Sequence, residues 1–299
     1  MHSRLNSASA LDAALASLAD AEFNLLCIPP PQDGIDLDLA TRAAAAELCR
    51  RRGTLFVVDL SQAWKQAGDA AAGLDAYFPN RGAESALYFP FVQAADPLAS
   101  GKLRAFAPCG AVAGLMARTD TMRGVWKAPA GTDAVLQDVV SPTLLLTDND
   151  SAILNPLGIN ALRTFPGRPK ATVVWGARTL IRPGSSDGTY RYVPVRRFAT
   201  FLEHSVSKGT QWAVFEPNTE QTWARLRRDV GDFLYGLYRQ GVFAGATPRE
   251  GYFAKCDAET TPASDIAAGR LNILIGFALL RPAEFAILKI SLISPAGNP

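Results

Sequence analysis

Histidine is almost missing from this 299-residue chain, where His2 and His204 are the only two. Imidazole is the side chain that titrates nearest neutrality, so its scarcity removes the commonest general base and the commonest metal ligand. His2 stands at the N-terminus, and His204, after Phe201, Leu202 and Glu203, reads as a helix-surface residue. No Gly-x-Ser-x-Gly elbow stands near a strand end to pair with either. Cysteine is also sparse, and Cys27, Cys49, Cys109 and Cys256 include no Cys-x-x-Cys pair. That spacing excludes a zinc knuckle or a disulfide framework and suits buried, reduced thiols. Charge of one sign is lacking too: 30 basic against 28 acidic side chains leave a formal charge of +2. A global field for nucleic acid is therefore absent. No run approaches the ~18 apolar residues of a membrane span, and the N-terminus lacks the apolar core of a signal peptide. Synthesis and assembly in the cytoplasm, with no membrane insertion, are the expectation.

Loops that hold metals or phosphates are incomplete. Asp148-Asn149-Asp150 lacks the glycine and distal glutamate of a calcium loop and reads as a turn with a helix cap. Gly110 and Gly114 have neither the Lys-Ser/Thr of a phosphate loop nor the third glycine of a dinucleotide fingerprint, and suit helix packing instead. The expectation is no catalytic residue, no metal site and no cofactor.

What is present is apolar and periodic. Hydrophobic residues make up 48%, charged residues 19%, and the mean hydropathy is +0.06. This composition folds, and it is greasy enough for a surface buried in an assembly. In the first half, strand-like runs alternate with helical ones, the pattern of an α/β fold with a largely parallel sheet. Phe23–Ile28 reads as a buried strand, Asp38–Arg52 as a helix stopped by Gly53, and Thr54–Leu60 as a central strand. Ala86–Val92 reads as a further strand, with Pro90 marking part of it as an edge. A helix follows Pro108 and ends at Gly124.

Ala171–Ile181 predicts a long strand, and Pro183–Gly188 is the strongest loop signal. The domain boundary is placed there, giving residues 1–184 and 185–299. Beyond it the reading is a helix through Phe198–Ser205, a strand at Trp212–Glu216, and a long helix opened by an Asn218/Gln221 capping box. In that helix Trp223, Leu226, Val230, Phe233 and Leu237 form one apolar stripe. Two β-type runs, Leu271–Leu280 and Glu284–Ile293, close the chain.

The run Gly158-Ile-Asn-Ala-Leu-Arg-Thr-Phe-Pro-Gly-Arg-Pro-Lys-Ala-Thr-Val-Val-Trp-Gly-Ala-Arg-Thr-Leu180 resembles the core signature of contractile tail sheath proteins. Further phrases extend it: Tyr190-Arg-Tyr-Val-Pro-Val-Arg-Arg-Phe198, Gly209-Thr-Gln-Trp-Ala-Val-Phe-Glu-Pro-Asn218, Gly245-Ala-Thr-Pro248 and Arg281-Pro-Ala-Glu-Phe285. The match runs from about Asp96 to Leu288, and Phe23–Leu60 resembles the start of the family's subtilisin-like α/β domain. The resemblance implies a subtilisin-like α/β domain, a label of fold only, followed by a smaller α+β C-terminal sheath domain. It implies hexameric rings stacked helically on an inner tube, with baseplate and cap proteins as partners, and contraction that drives the tube through a target envelope. Arg225, Arg227 and Arg228, read as uncompensated, would then face the tube. Phe285, Ile287, Lys289, Ile290 and Leu292 would lie on an arm donated to a neighbouring subunit, and the Gly158–Lys170 passage would join the two domains. The family's opening Pro-Gly-Val-Tyr type phrase does not occur before Phe23. A compact sheath without that arm, a truncated chain, a cap subunit that does not contract, and a hydrolase on the same layout are the other readings.

Overall fold

The computed structural model describes residues 8–18, 21–30, 34–185, 188–281 and 283–293. In chain order its elements are α1 (Ala8–Ser17), β1 (Leu25–Cys27), α2 (Leu39–Arg52), β2 (Leu55–Val58), α3 (Ala67–Tyr77), β3 (Ser85–Phe89), β4 (Val92–Asp96) and β5 (Lys102–Phe106). Then follow α4 (Cys109–Arg123), β6 (Val139–Pro142), α5 (Asp148–Leu154), β7 (Ile159–Phe165), β8 (Arg168–Trp175) and α6 (Val193–Gly209). The last group is α7 (Glu220–Arg239), α8 (Pro248–Gly251), β9 (Tyr252–Lys255), α9 (Ala263–Ala267), β10 (Arg270–Phe277) and β11 (Ala286–Ile293). The chain divides into two compact units, Met1–Arg197 and Phe198–Pro299, with the division inside α6.

The first unit is built on a five-stranded sheet of order β1-β2-β3-β7-β8. The first four strands are parallel, and β8 returns antiparallel beside β7. Parallel strands covered on both faces read as unbroken apolar runs, and β2 shows why. Leu55 and Val57 enter one core with Tyr88, Leu115 and Met116, while Phe56 and Val58 enter the other with Leu48, Leu74 and Phe78. Each such buried side chain contributes about 1.5–3 kcal/mol of transfer free energy. A small antiparallel sheet of order β5-β4-β6 adds to this unit.

Helix ends follow local chemistry. The Asp38 carboxylate accepts the Thr41 N–H at 2.9 Å to start α2, and Gly53, at φ 68°, stops it. Arg50, Arg51 and Arg52 fill its last turn, where the macrodipole favours cations. Arg197, buried in α6, forms a two-point ion pair with Asp120 of α4 at 2.9 and 2.5 Å.

Four local readings change. Pro90 does not mark a sheet edge: β3 ends at Phe89 inside the main sheet, and β4 begins at Val92 in the small one. Proline has no N–H to give a ladder, so it divides one apolar run between two sheets. The long strand stops at Trp175; just beyond it the Asn160 side chain takes up the Arg178 backbone, accepting its N–H at 2.7 Å and donating to its carbonyl at 2.8 Å. The Gly158–Lys170 passage lies in the β7–β8 hairpin of the first unit. Trp212–Glu216 is no strand; Gln211–Phe215 is a 3₁₀ turn with Ala213 buried and Phe215 79% exposed. A short apolar run does not discriminate strand from turn by periodicity.

Candidate assembly surfaces

The second unit places its long helix and terminal strand by burial. Thr222, Trp223, Leu226, Val230, Leu234 and Leu237 are buried along α7, with Phe233 only half-buried beside the stripe. The helix begins one residue after Thr219, and no capping box forms at Asn218. Instead the Asn218 Oδ1 accepts the Trp223 indole N–H at 2.7 Å, and its amide donates to the Arg270 carbonyl at 2.9 Å. A side-chain donor, the Trp223 indole, therefore takes the place that a backbone N–H would have filled at the Asn218 oxygen.

The three arginines of α7 differ in environment. Arg225 is exposed and stacks on the Trp212 ring, 3.9 Å from its centroid. Arg227 is not uncompensated: it pairs with Glu220 at 2.6 Å and donates to the Cys256 carbonyl. Arg228 is exposed, as are Asp229 and Asp232 on the same helix. Burial pushes the Cys256 thiol up to about 12, so it stays protonated. The Arg225–Trp212 stack was not readable from the sequence, where Trp212 stood only in an expected strand, since a stack across a turn leaves no periodic signal.

Strand β11 pairs along its whole length with β10, antiparallel, in a sheet of order β11-β10-β9. Its side chains alternate strictly: Ala286, Leu288, Ile290 and Leu292 are buried, while Ile287, Lys289, Ser291 and Ile293 are exposed. Phe285, just before it, is half-buried and meets the Phe253 ring edge-on at 5.3 Å. As an edge strand, β11 has one side to which no other strand is paired among the described residues. Such an edge is a template for a strand from another chain.

In the first unit Asp59, just past β2, is a buried carboxylate. Its Oδ1 accepts the Cys109 N–H at 2.9 Å, while Oδ2 is buried without a partner. Burial pushes its pKa up to about 6. The described part of this unit contains no histidine to pair with it; His2 lies outside the described residues and His204 is exposed on α6. Nearby Ser61 donates its hydroxyl proton to Asp36 at 2.6 Å. Nucleophile, base and orienting group are therefore not assembled among the described residues. Among them, too, no helix is long and apolar enough to cross a membrane, and no group of three ligands suits a metal ion.

The raised Asp59 pKa predicts a pH dependence of folding. The folded state holds the proton more tightly than the unfolded state, so this stabilisation is full below about pH 4 and is lost as pH rises through about 6. A shift of this size corresponds to roughly 3 kcal/mol between the extremes. Asp59→Asn keeps an acceptor for the Cys109 N–H and cannot ionise. Urea midpoints measured between pH 4 and 8 are expected to decline less in this variant than in the wild type; parallel declines would contradict the assignment.

Residues 185–293 match the family described as the phage tail sheath C-terminal domain. The structure is similar to that of the anti-feeding prophage helical sheath in the contracted state, with 33% identity, a TM-score of 0.70, and coverage of 95% of this chain and 74% of that one. It is similar also to the sheath complex of an extracellular contractile injection system, PVC, in the contracted state, at 31% identity and a TM-score of 0.73. That match covers 92% of this chain and 73% of the other. Among curated proteins, the tail sheath protein of Vibrio phage KVP40 is 26% identical over 133 residues, which is 44% of this chain and 19% of the phage protein.

Proposed function

Because this chain belongs to the contractile tail sheath family, we propose that it is a structural subunit whose copies stack as hexameric rings around an inner tube and shorten together to drive that tube forward. The observation that carries this reading is the similarity to the anti-feeding prophage helical sheath across 95% of the chain. The energy for movement is held in subunit packing, so no nucleotide, metal or catalytic residue is required. Contraction is then a repacking between two discrete interface arrangements, each subunit adding a small gain. Residues 1–184 form the α/β domain and residues 185–299 the C-terminal domain that carries the contacts. Baseplate and cap proteins bound the assembly, which is built in the bacterial cytoplasm and works against a target envelope.

Two surfaces of the second unit fit these roles. The exposed Arg228, with the Trp212-stacked Arg225 one turn before it, is the tube-facing cation pair, while Arg227 mainly holds the helix to its own domain. The edge strand β11 is the inter-subunit arm, with Ile287 and Lys289 on its outer face and Ile290 and Leu292 anchoring it. The test is electron microscopy of the purified chain mixed with its inner tube protein. Long striated cylinders are the expected outcome, whereas isolated rings at tube ends would replace the sheath by a cap. Arg228→Glu is expected to weaken co-sedimentation with the tube about tenfold or more. Unchanged co-sedimentation would remove α7 from the tube interface.

A further inference from the structure

Three side chains of the first unit that take no part in the sheath roles meet at one end of its main sheet. Cys27 is the last residue of β1, which runs parallel to β2 with Cys27 opposite Val57. Asp59 follows two residues after Val57, and its Oδ1 accepts the N–H of Cys109, the first residue of α4, at 2.9 Å. This bond seats the start of α4 against the ends of both strands. The Cys27 Sγ in turn donates to the Cys109 carbonyl at 3.6 Å, although 82 positions separate the two in sequence. Both side chains belong to the apolar cluster that holds Leu25, Val57 and Val112.

The two thiols are not alike. Cys109 is 3% exposed, and a hydrogen bond to the Cys27 thiol, burial and the neighbouring Asp59 push its own thiol well above the ordinary range. It therefore stays protonated and closed to solvent. Cys27 is half-buried, so a small oxidant in solution reaches it first. Asp59 supplies what Cys109 lacks, a proton acceptor. Its Oδ2 is buried with no hydrogen-bond partner, and burial raises its pKa only to about 6, so the carboxylate is ionised at neutral pH. The other two cysteines stand elsewhere: Cys49 packs in the cluster on the opposite face of the sheet, and Cys256 belongs to the second unit.

We infer that Cys27 and Cys109 are a site of oxidative modification, where a peroxide converts the thiol pair into a reversible disulfide that ties β1 to α4. The Cys27 sulfur attacks one oxygen of hydrogen peroxide and the O–O bond breaks. The second oxygen leaves as water with the thiol proton, so the sulfur loses two electrons to the peroxide and becomes a sulfenic acid. The Cys109 thiol then gives its proton to Asp59, and its sulfur attacks that of Cys27. The S–S bond forms, the S–O bond breaks, and the departing hydroxide takes the proton from Asp59 to leave as water. Two thiols and one peroxide thus give one disulfide and two waters. The tie falls where the sheet holds least: β1 is its shortest strand, three residues long, and pairs only with β2 among the described residues. A link across 82 positions also restricts the unfolded chain.

The test treats the reduced full chain with hydrogen peroxide near neutral pH, blocks remaining thiols by alkylation, and maps peptides by mass spectrometry without reduction. The expected product is a Cys27–Cys109 peptide pair lighter by two hydrogens than its separate parts, with Cys49 and Cys256 alkylated. The urea midpoint is expected to rise by about 1 M and to return on reduction with dithiothreitol. Cys109→Ser keeps the thiol that meets the peroxide, and is expected to stop at a Cys27 sulfenic acid that dimedone traps, with no rise in midpoint. Alkylation of all four cysteines after peroxide, oxidation of Cys27 to a sulfinic acid without a link, or a link to Cys49 would each overturn the proposal. A linked chain no more stable than the reduced one would overturn the tie between β1 and α4. The reaction takes place within one chain, so its outcome does not depend on the sheath reading.

Discussion

Gly158→Ala is expected to destabilise the first unit by on the order of 3 kcal/mol, more than any other single methyl addition in the β7–β8 region. Gly158 ends the 3₁₀ turn Asn155–Leu157 at φ 81°, in the left-handed region where a side chain is strained. A Cβ there would also lie 2.4 Å from the Thr179 carbonyl oxygen and 3.3 Å from the Leu180 Cα. Neither atom can yield by a change of rotamer. Thr179 is pinned by its N–H to the Arg191 carbonyl at 2.9 Å, and Leu180 by its N–H to Ser85 at 2.8 Å. Gly110→Ala is the matching control. It lies in α4 with nothing within 4 Å of a new Cβ, and should be neutral or stabilising by up to about 1 kcal/mol. Urea denaturation of both variants decides the matter. Equal midpoints would mean that the Thr179 contact is not rigid.

The same stretch shows why the family was legible while its local role was not. Asn160 is buried on β7, donates its amide to Leu87 at 3.1 Å and to Arg178 at 2.8 Å, and accepts the Arg178 N–H at 2.7 Å. Gly158, Asn160 and Gly176 thus hold the chain beyond β8 against β7 and β3 by side-chain bonds and close backbone approach. Each of these requirements constrains one residue type, which makes the run distinctive as a phrase. Proline and glycine density alone reads as a connector, because it does not reveal that the run closes a hairpin in the main sheet.

Elsewhere legibility tracked the range of the interactions. The ends of α2 were readable because Asp38 and Gly53 act within a few residues of the helix. The β2 strand was readable because both its faces are apolar. By contrast β5, Lys-Leu-Arg-Ala-Phe, is mostly exposed and is a strand only by pairing with β4 across the Asp96–Gly101 turn. Arg227 looked free because its partners, Glu220 and the Cys256 carbonyl, lie 7 and 29 residues away. A charge run along a helix says which side chains are polar, not which of them are already satisfied.

Phe198→Ala is expected to cost about 4 kcal/mol, enough to leave the second unit marginal. Phe198 is fully buried, and its ring stands 5.9 Å from Phe201, 5.8 Å from Phe243 and 5.3 Å from Phe277. The contacts to Phe243 and Phe277 are edge-on, at 73° and 75°, the arrangement in which aromatic quadrupoles attract. Those partners come from three places: α6, the loop after α7, and β10. Truncation therefore opens a cavity between elements of this unit and cannot be refilled by one rotamer. Phe215→Ala removes an equally large ring that is 79% exposed, and should change stability by no more than about 0.5 kcal/mol. The comparison separates packing from composition, since both variants lose the same atoms. A urea midpoint for Phe198→Ala within the range of Phe215→Ala would show that the aromatic cluster is not the centre of this core. The expected drop would instead make that cluster the centre of the unit that carries both proposed contact surfaces, so loss of assembly in this variant would be read as loss of fold, and Arg228→Glu would remain the specific probe of the tube interface.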